Sequence, residues 1–196
     1  FVFKNSEKRI TDASGITKAK SRAADIKIAR LDPVPIDPKS WLTRNLPDTN
    51  IGLAGKRILL LGCGAIGGYL ADLLAKNGAG FLNGKLVLSD DDTLSVGNIG
   101  RHLLGFSDLE RPKTEALRDH LINHYPRVNV GIASDNLLSS SSEKHLDLII
   151  DATGNQGLSL YLSEQRIAGI LSAPIIFTWV AGAGCGAQAY LMHNNK

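Results

Sequence analysis

The sequence predicts an α/β fold: a mostly parallel, Rossmann-like sheet with helices on both faces, ending in an antiparallel C-terminal strand pair. Two observations carry this expectation. From Lys56 onward, apolar runs of strand length alternate with stretches whose apolar residues recur at helical spacing, the pattern of a parallel sheet covered on both sides. The first of these strands also runs directly into a glycine-rich loop that opens a helix, a junction that recurs in nucleotide-binding α/β domains.

The elements follow in order. Arg57 to Leu61 is a continuous apolar run, as in a strand buried on both faces. Ala65 to Asn77 places Ile66, Tyr69, Leu70, Leu73 and Leu74 at helical spacing, and Gly78 suits the stop. Strands are expected over 85–89, 127–132, 146–151 and 174–180, and helices over 113–124 and 158–171. A turn over 182–186 leads into a last strand over 187–192. Residues 53–196 are read as one nucleotide-binding domain, truncated at its C-terminus.

Residues 1–52 differ. They hold many charges and four of the seven prolines, Pro33, Pro35, Pro38 and Pro47, and are read as a linker or N-terminal packing arm. A basic helix is expected over 17–31. A short helix is expected to open at Asp37-Pro38 and run through Trp41 to Leu46, because Asp caps and Pro suits the first helical position. The chain begins Phe1-Val2-Phe3 without a methionine, which suggests a fragment.

The bulk properties bound the function. A formal charge of +3 over 196 residues permits an anionic ligand but gives no concentrated basic patch for nucleic acid. The apolar runs are too short to span a membrane. Two distant cysteines, Cys63 and Cys185, fit a reducing, cytoplasmic setting and offer no disulfide framework.

The chemistry begins at Gly62-Cys63-Gly64-Ala65-Ile66-Gly67-Gly68, with the spacing G-x-G-x-x-G. Gly62 allows a tight turn, Gly64 lets a phosphate approach the backbone, and Gly67 lets helix and strand pack closely. The helix N-terminus, from Ala65, offers free N–H groups and partial positive charge to an anion. The same spacing also serves a plain packing turn, and it also serves NAD. Strand two ends in Ser89-Asp90-Asp91-Asp92. A carboxylate there accepts hydrogen bonds from ribose hydroxyls, which makes Asp90 the ribose candidate; a solvated acidic turn is the alternative. Three acids beside a phosphate site need an offsetting cation, and Mg²⁺ takes carboxylate and phosphate oxygens together.

The stretch from Ser89 to His102 resembles the D-x-D-x-V-x-x-x-N-x-x-R-Q signature of the ThiF, MoeB and ubiquitin-activating family. Arg111-Pro112-Lys113 follows, like that family's G-x-P-K, and Asp151-Ala152-Thr153-Gly154-Asn155 is similar to its D-x-T-D-N. The resemblance implies an adenylating domain that uses ATP and Mg²⁺ to activate the C-terminal carboxylate of a ubiquitin-like or other small carrier protein. It implies Asp90 on the ribose, and Asn98, Arg101 and Lys113 on the phosphates, with Gly62, Gly64, Ala65, Gly67, Asp92 and Asn155 also near the nucleotide. Arg101 and Lys113 are the catalytic candidates, because a carboxylate meeting a triphosphate needs cations to neutralise the two anions. Their alternative is a pair of solvated surface charges.

Two positions depart from the pattern. Gly154 stands where the family has a Mg²⁺-holding acid, which shifts the metal expectation to Asp92 or Asp151. His102 stands where Gln is usual, and is expected to pack or cap. The phrase Asn98 to Gly105, with the glycine loop, further resembles bacterial proteins that fuse a conjugating-enzyme-like domain to an activating domain, including those of CBASS-type antiphage operons. By the same resemblance a homodimer is expected; Arg44 is the candidate to reach a partner's nucleotide, but a solvated helix-end arginine is the preferred reading of it. Cys63 is read as packed and Cys185 as a poor nucleophile, since no base stands beside it; a catalytic cysteine is expected beyond residue 196. The competing readings are an NAD-dependent oxidoreductase and a non-catalytic scaffold that keeps the fold.

Overall fold

The computed structural model describes residues 2–6, 30–43, 52–133, 145–181 and 184–193. In chain order the elements are β1 (Val2–Ser6), β2 (Arg30–Val34), α1 (Pro38–Leu42), β3 (Arg57–Leu61), α2 (Ala65–Lys76), β4 (Lys85–Ser89), α3 (Lys113–His124), β5 (Val130–Ile132), β6 (Leu148–Asp151), α4 (Gln156–Ile167), β7 (Ile175–Ala181) and β8 (Gly186–Met192). Short 3-10 turns at Val96–Asn98 and Phe106–Asp108 lie between β4 and α3.

The main sheet has six strands in the order β5-β4-β3-β6-β7-β8. All neighbours are parallel except β7 and β8. The chain therefore enters at the sheet's middle, builds outward through β4 and β5, then returns to lay β6 on the other flank of β3. Such a reversal opens a crevice at the carboxyl ends of the two central strands, where ligands bind in open α/β sheets. The loops after β3 and β6 meet there: a Cβ on Gly62, whose φ is +86°, would lie 2.9 Å from the backbone of Ala152 and Thr153.

Alternation along the strands builds two cores. Ile58, Leu60, Leu86, Leu88 and Ile150 face α2 and α3, whose Ala71, Leu74, Leu117 and Leu121 are buried against them. Leu59, Leu61, Val87, Ile149 and Ile175 form the opposite core with Leu162 of α4. Burial on both faces is why these strands read as uninterrupted apolar runs.

The ends differ from the sequence expectation for identifiable reasons. β5 starts at Val130, later than expected, because Arg127 has φ +70° and the Val128 N–H closes a turn on the Tyr125 carbonyl. α4 starts earlier, since the Asn155 side chain caps it by accepting from the Gly157 and Leu158 N–H groups. It ends before Gly169, whose φ is +73°. α1 stops at Leu42 and is shorter than expected. Its Trp41 ring meets Phe81 edge-on, with centroids 5.2 Å apart. The basic helix expected over 17–31 lies mostly outside the described residues, and its last two positions are strand instead: Arg30 and Leu31 belong to β2, which pairs antiparallel with β1. Gly182 and Ala183 of the expected turn, and Arg44, also lie outside the described residues. Among the described residues no helix is long and apolar enough to cross a membrane.

Candidate functional site

The site is organised around the peptide groups of one residue, Cys63. Its N–H donates to Asp90 Oδ2 at 2.6 Å. Its carbonyl oxygen lies 2.7 Å from His102 Nε2. Asp90 Oδ1 in turn accepts from the Asp92 N–H at 2.8 Å. The chain continues to α3: the Lys113 N–H donates to the Asp92 carbonyl at 3.0 Å, and Lys113 Nζ sits 2.6 Å from Asp92 Oδ2. The glycine loop, the acidic turn and the start of α3 are thus one hydrogen-bonded unit at the carboxyl ends of β3 and β4.

Within the loop the three fingerprint glycines have distinct constraints. A Cβ on Gly67 would lie 1.8 Å from the Gly62 carbonyl oxygen, so helix and turn touch there. Gly62 is held in the left-handed region, and its N–H donates to the Ser89 carbonyl. Gly64, the N-cap of α2, has no side-chain cap and nothing within 4 Å of where its Cβ would stand. Its side of the helix mouth is open, and Ala65 follows as the first helical residue.

The charged residues divide into those the fold assembles here and those it does not. Lys113 is buried, with a side chain only 6% exposed against 69% for Asp92. Asp90, Asp91 and Asp92 offer carboxylate oxygens within 4.8 Å of one another, an all-oxygen set that suits a hard cation such as Mg²⁺. It is the one group of three such residues among those described, and it contains Asp92 but not Asp151. Asp151 is buried, its Oδ1 accepts from the Thr153 N–H and hydroxyl, and its Oδ2 accepts from the Ser159 hydroxyl. Three of about four carboxylate acceptor positions are already engaged.

Arg101 is exposed, and its Nη1 donates to the Gly97 carbonyl at 3.1 Å within its own turn. Asn98 completes a capping box with Ser95: its Oδ1 accepts from the Ser95 N–H and hydroxyl. Asn155, expected beside the nucleotide, spends its Oδ1 on the cap of α4. Gly154 has φ +68° with open space around it, so nothing at that position supplies the missing acid.

His102 packs and caps, as expected of it. It is 5% exposed, and its Nδ1 accepts from the Leu104 N–H at 3.0 Å. Like the Gln usual at this position, a neutral His carries both an accepting and a donating atom.

Cys63 is buried, and burial above all, then the charge of Asp90, pushes its thiol up to about 12, against a smaller opposite pull from Lys113. A thiol that stays protonated is a poor nucleophile. In native protein near neutral pH, a thiol reagent is expected to label exposed Cys185 and to reach Cys63 only after denaturation. Mass spectrometry of the labelled peptides checks this, and rapid native labelling at Cys63 would contradict the packing.

With this geometry in view, comparison with known proteins is decisive for family. The model described as "ThiF family" matches residues 49–196. The chain belongs to the ThiF family. Among relatives of this ThiF-family chain, an ATP-dependent ubiquitin transferase-like protein Cap2 of Pseudomonas aeruginosa is 39% identical over 85% of the chain and 30% of its own length. A Cap2 protein of Escherichia coli is 38% identical over 83% of the chain and 28% of its own length. The sulfur carrier protein ThiS adenylyltransferase of Escherichia coli is 28% identical over 67% of the chain and 52% of its own length. The chain thus spans under a third of these Cap2 relatives. Among solved structures, E. coli MccB with ATP superposes with a TM-score of 0.51 at 20% identity, over 65% of this chain and 37% of that one, and shares the fold.

Proposed function

We propose that this ThiF-family chain carries the ATP-binding core of an enzyme that adenylates the C-terminal carboxylate of a ubiquitin-like or other small protein, ahead of thioester or conjugate formation. One observation supports this above the others: the glycine loop is tied through Asp90 and Asp92 to a buried lysine at the mouth of the same crevice. An oxidoreductase that binds NAD has no need of a buried cation at that point. Adenylation does, because an anionic carboxylate must approach the α-phosphate of an anionic nucleotide.

The chemistry follows from these groups. The helix mouth at Gly64 and Ala65 receives phosphate oxygens. Asp90 keeps acceptor positions for the ribose hydroxyls while holding the loop. Lys113, with Arg101 turned from its own segment, neutralises the phosphates as the carboxylate oxygen bonds to the α-phosphorus. The bond from that phosphorus to the bridging oxygen breaks, and pyrophosphate leaves with its electron pair. Asp91 and Asp92 are the residues that would hold Mg²⁺ with the phosphate oxygens, and the ion would supply further charge neutralisation. On the resemblance of the Asn98 to Gly105 phrase to the bacterial fusion proteins, we place the reaction in a cytoplasmic antiphage system and expect the working enzyme to be a homodimer.

The test is ATP–pyrophosphate exchange by the full-length protein with candidate carrier proteins. Exchange that depends on both Mg²⁺ and a carrier with a free C-terminus is the expected result. Thermal stabilisation by NAD and not by ATP would favour the oxidoreductase reading. Stabilisation by neither would favour a scaffold that has kept only the fold.

A further inference from the structure

We infer that His102 is a positioning residue that aims the glycine loop at the phosphates and keeps the Arg101 segment in register with it. The inference rests on the nucleotide-binding reading above. The Leu104 N–H donates to His102 Nδ1 at 3.0 Å, so that nitrogen is bare and the ring hydrogen sits on Nε2. Nε2 then donates to the Cys63 carbonyl at 2.7 Å. No peptide bond in the described chain is cis, and the C=O and N–H of a trans peptide point in opposite directions. Holding the Cys63 carbonyl on His102 therefore turns the Gly64 N–H away from His102.

The other side of the same residue is fixed independently, since the Cys63 N–H is held by Asp90. With both of its polar backbone groups engaged, Cys63 cannot rotate, and the orientation of the following amide is set before a ligand arrives. His102 is also the sequence neighbour of Arg101, whose guanidinium reaches no further than the Gly97 carbonyl of its own turn. The imidazole is thus what couples the arginine segment to the loop across 39 positions of sequence. The fit is close: a Cβ on Gly68 would stand 3.4 Å from the His102 ring, so Gly68 leaves the space that the ring fills.

Three full-length proteins separate positioning from packing: wild type, His102→Leu and His102→Gln. Leucine keeps apolar bulk and loses both polar contacts, while the glutamine amide carries a donating NH2 and an accepting carbonyl oxygen and can restore them. The readouts are ATP affinity by calorimetry, KM and kcat for pyrophosphate exchange, and melting temperature. His102→Leu is expected to weaken ATP binding about tenfold or more while still melting cooperatively, and His102→Gln to return within about threefold of wild type. A residue that only fills the core would lower the melting temperature in both variants and leave ATP affinity of the folded protein unchanged, which would overturn the inference. Equal loss in Leu and Gln variants would overturn it too. If wild type binds ATP but exchanges no pyrophosphate with any carrier, the adenylation reading fails and the affinity series still decides the role of His102. If wild type binds no ATP, both fall.

Discussion

Gly67→Ala is expected to destabilise the domain by about 3 kcal/mol or more and to abolish nucleotide binding, because a methyl group forced into a close-packed contact has no room to relax. The contact is backbone on both sides: the new carbon would overlap the Gly62 carbonyl oxygen at 1.8 Å. Neither partner can rotate away. Gly62 is fixed by its own positive φ and by its N–H bond to Ser89, and Gly67 lies within α2. The loop would have to detach from the helix. Gly64→Ala is the informative control. Gly64 has negative φ and open space around it, so the variant is expected to melt like wild type yet bind ATP weakly, since the methyl stands where the phosphates approach. Denaturant melts and ATP titration of the pair give the comparison. A Gly64→Ala protein that binds ATP normally would remove the phosphates from that side of the loop.

Lys113→Ala and Arg101→Ala are each expected to lower pyrophosphate exchange more than tenfold, which corresponds to about 1.4 kcal/mol or more of lost transition-state stabilisation. The two should differ in detail. Lys113 is buried at the start of α3, already fixed at the crevice mouth. Its loss is expected to fall on kcat and on ATP affinity together. Removing it also leaves Asp92 without a counter-charge, but Asp92 is mostly exposed, so the fold should tolerate the change. Arg101 is exposed and, among the described residues, is tied only to a carbonyl of its own turn. It must swing to reach the phosphates, so its loss should fall on kcat and leave the melting temperature alone. Steady-state kinetics with melting curves separate these cases. Normal exchange in both variants would end the assignment of either residue to the phosphates.

The strands and the glycine loop were legible because each obeys a rule written in local sequence. Strands buried on both faces must be apolar throughout, and the turn from β3 into α2 demands glycine at Gly62 and Gly67 for steric reasons that no other residue meets. Asp90 was singled out by its place at the end of β4 and Lys113 by the resemblance to G-x-P-K, and the fold brings both into the hydrogen-bonded unit around Cys63. The polar residues with short side chains were not legible. Asn98 and Asn155 are equally suited to a phosphate and to a cap, and the choice depends on where helices begin, which sequence patterns fix least well. The hydrogen bond from Ser159 to the Asp151 carboxylate is equally hidden in the sequence, because it depends on α4 starting at Gln156. β2 contains Pro33, which argues against a strand, and among the described residues it pairs with β1 alone in a two-stranded sheet, where a missing N–H is tolerated.

The unequal exposure of Lys113 and Asp92 has a consequence for ligand entry. The ammonium was stripped of most of its water when the chain folded, while the carboxylate it holds still faces solvent. If the proposed site is right, an incoming phosphate would take over the lysine without dehydrating it again, and the displaced aspartate would swing into water or onto a metal ion at little cost. In the proposed site Asp92 would serve as a stand-in anion, keeping the cation in place until the nucleotide relieves it.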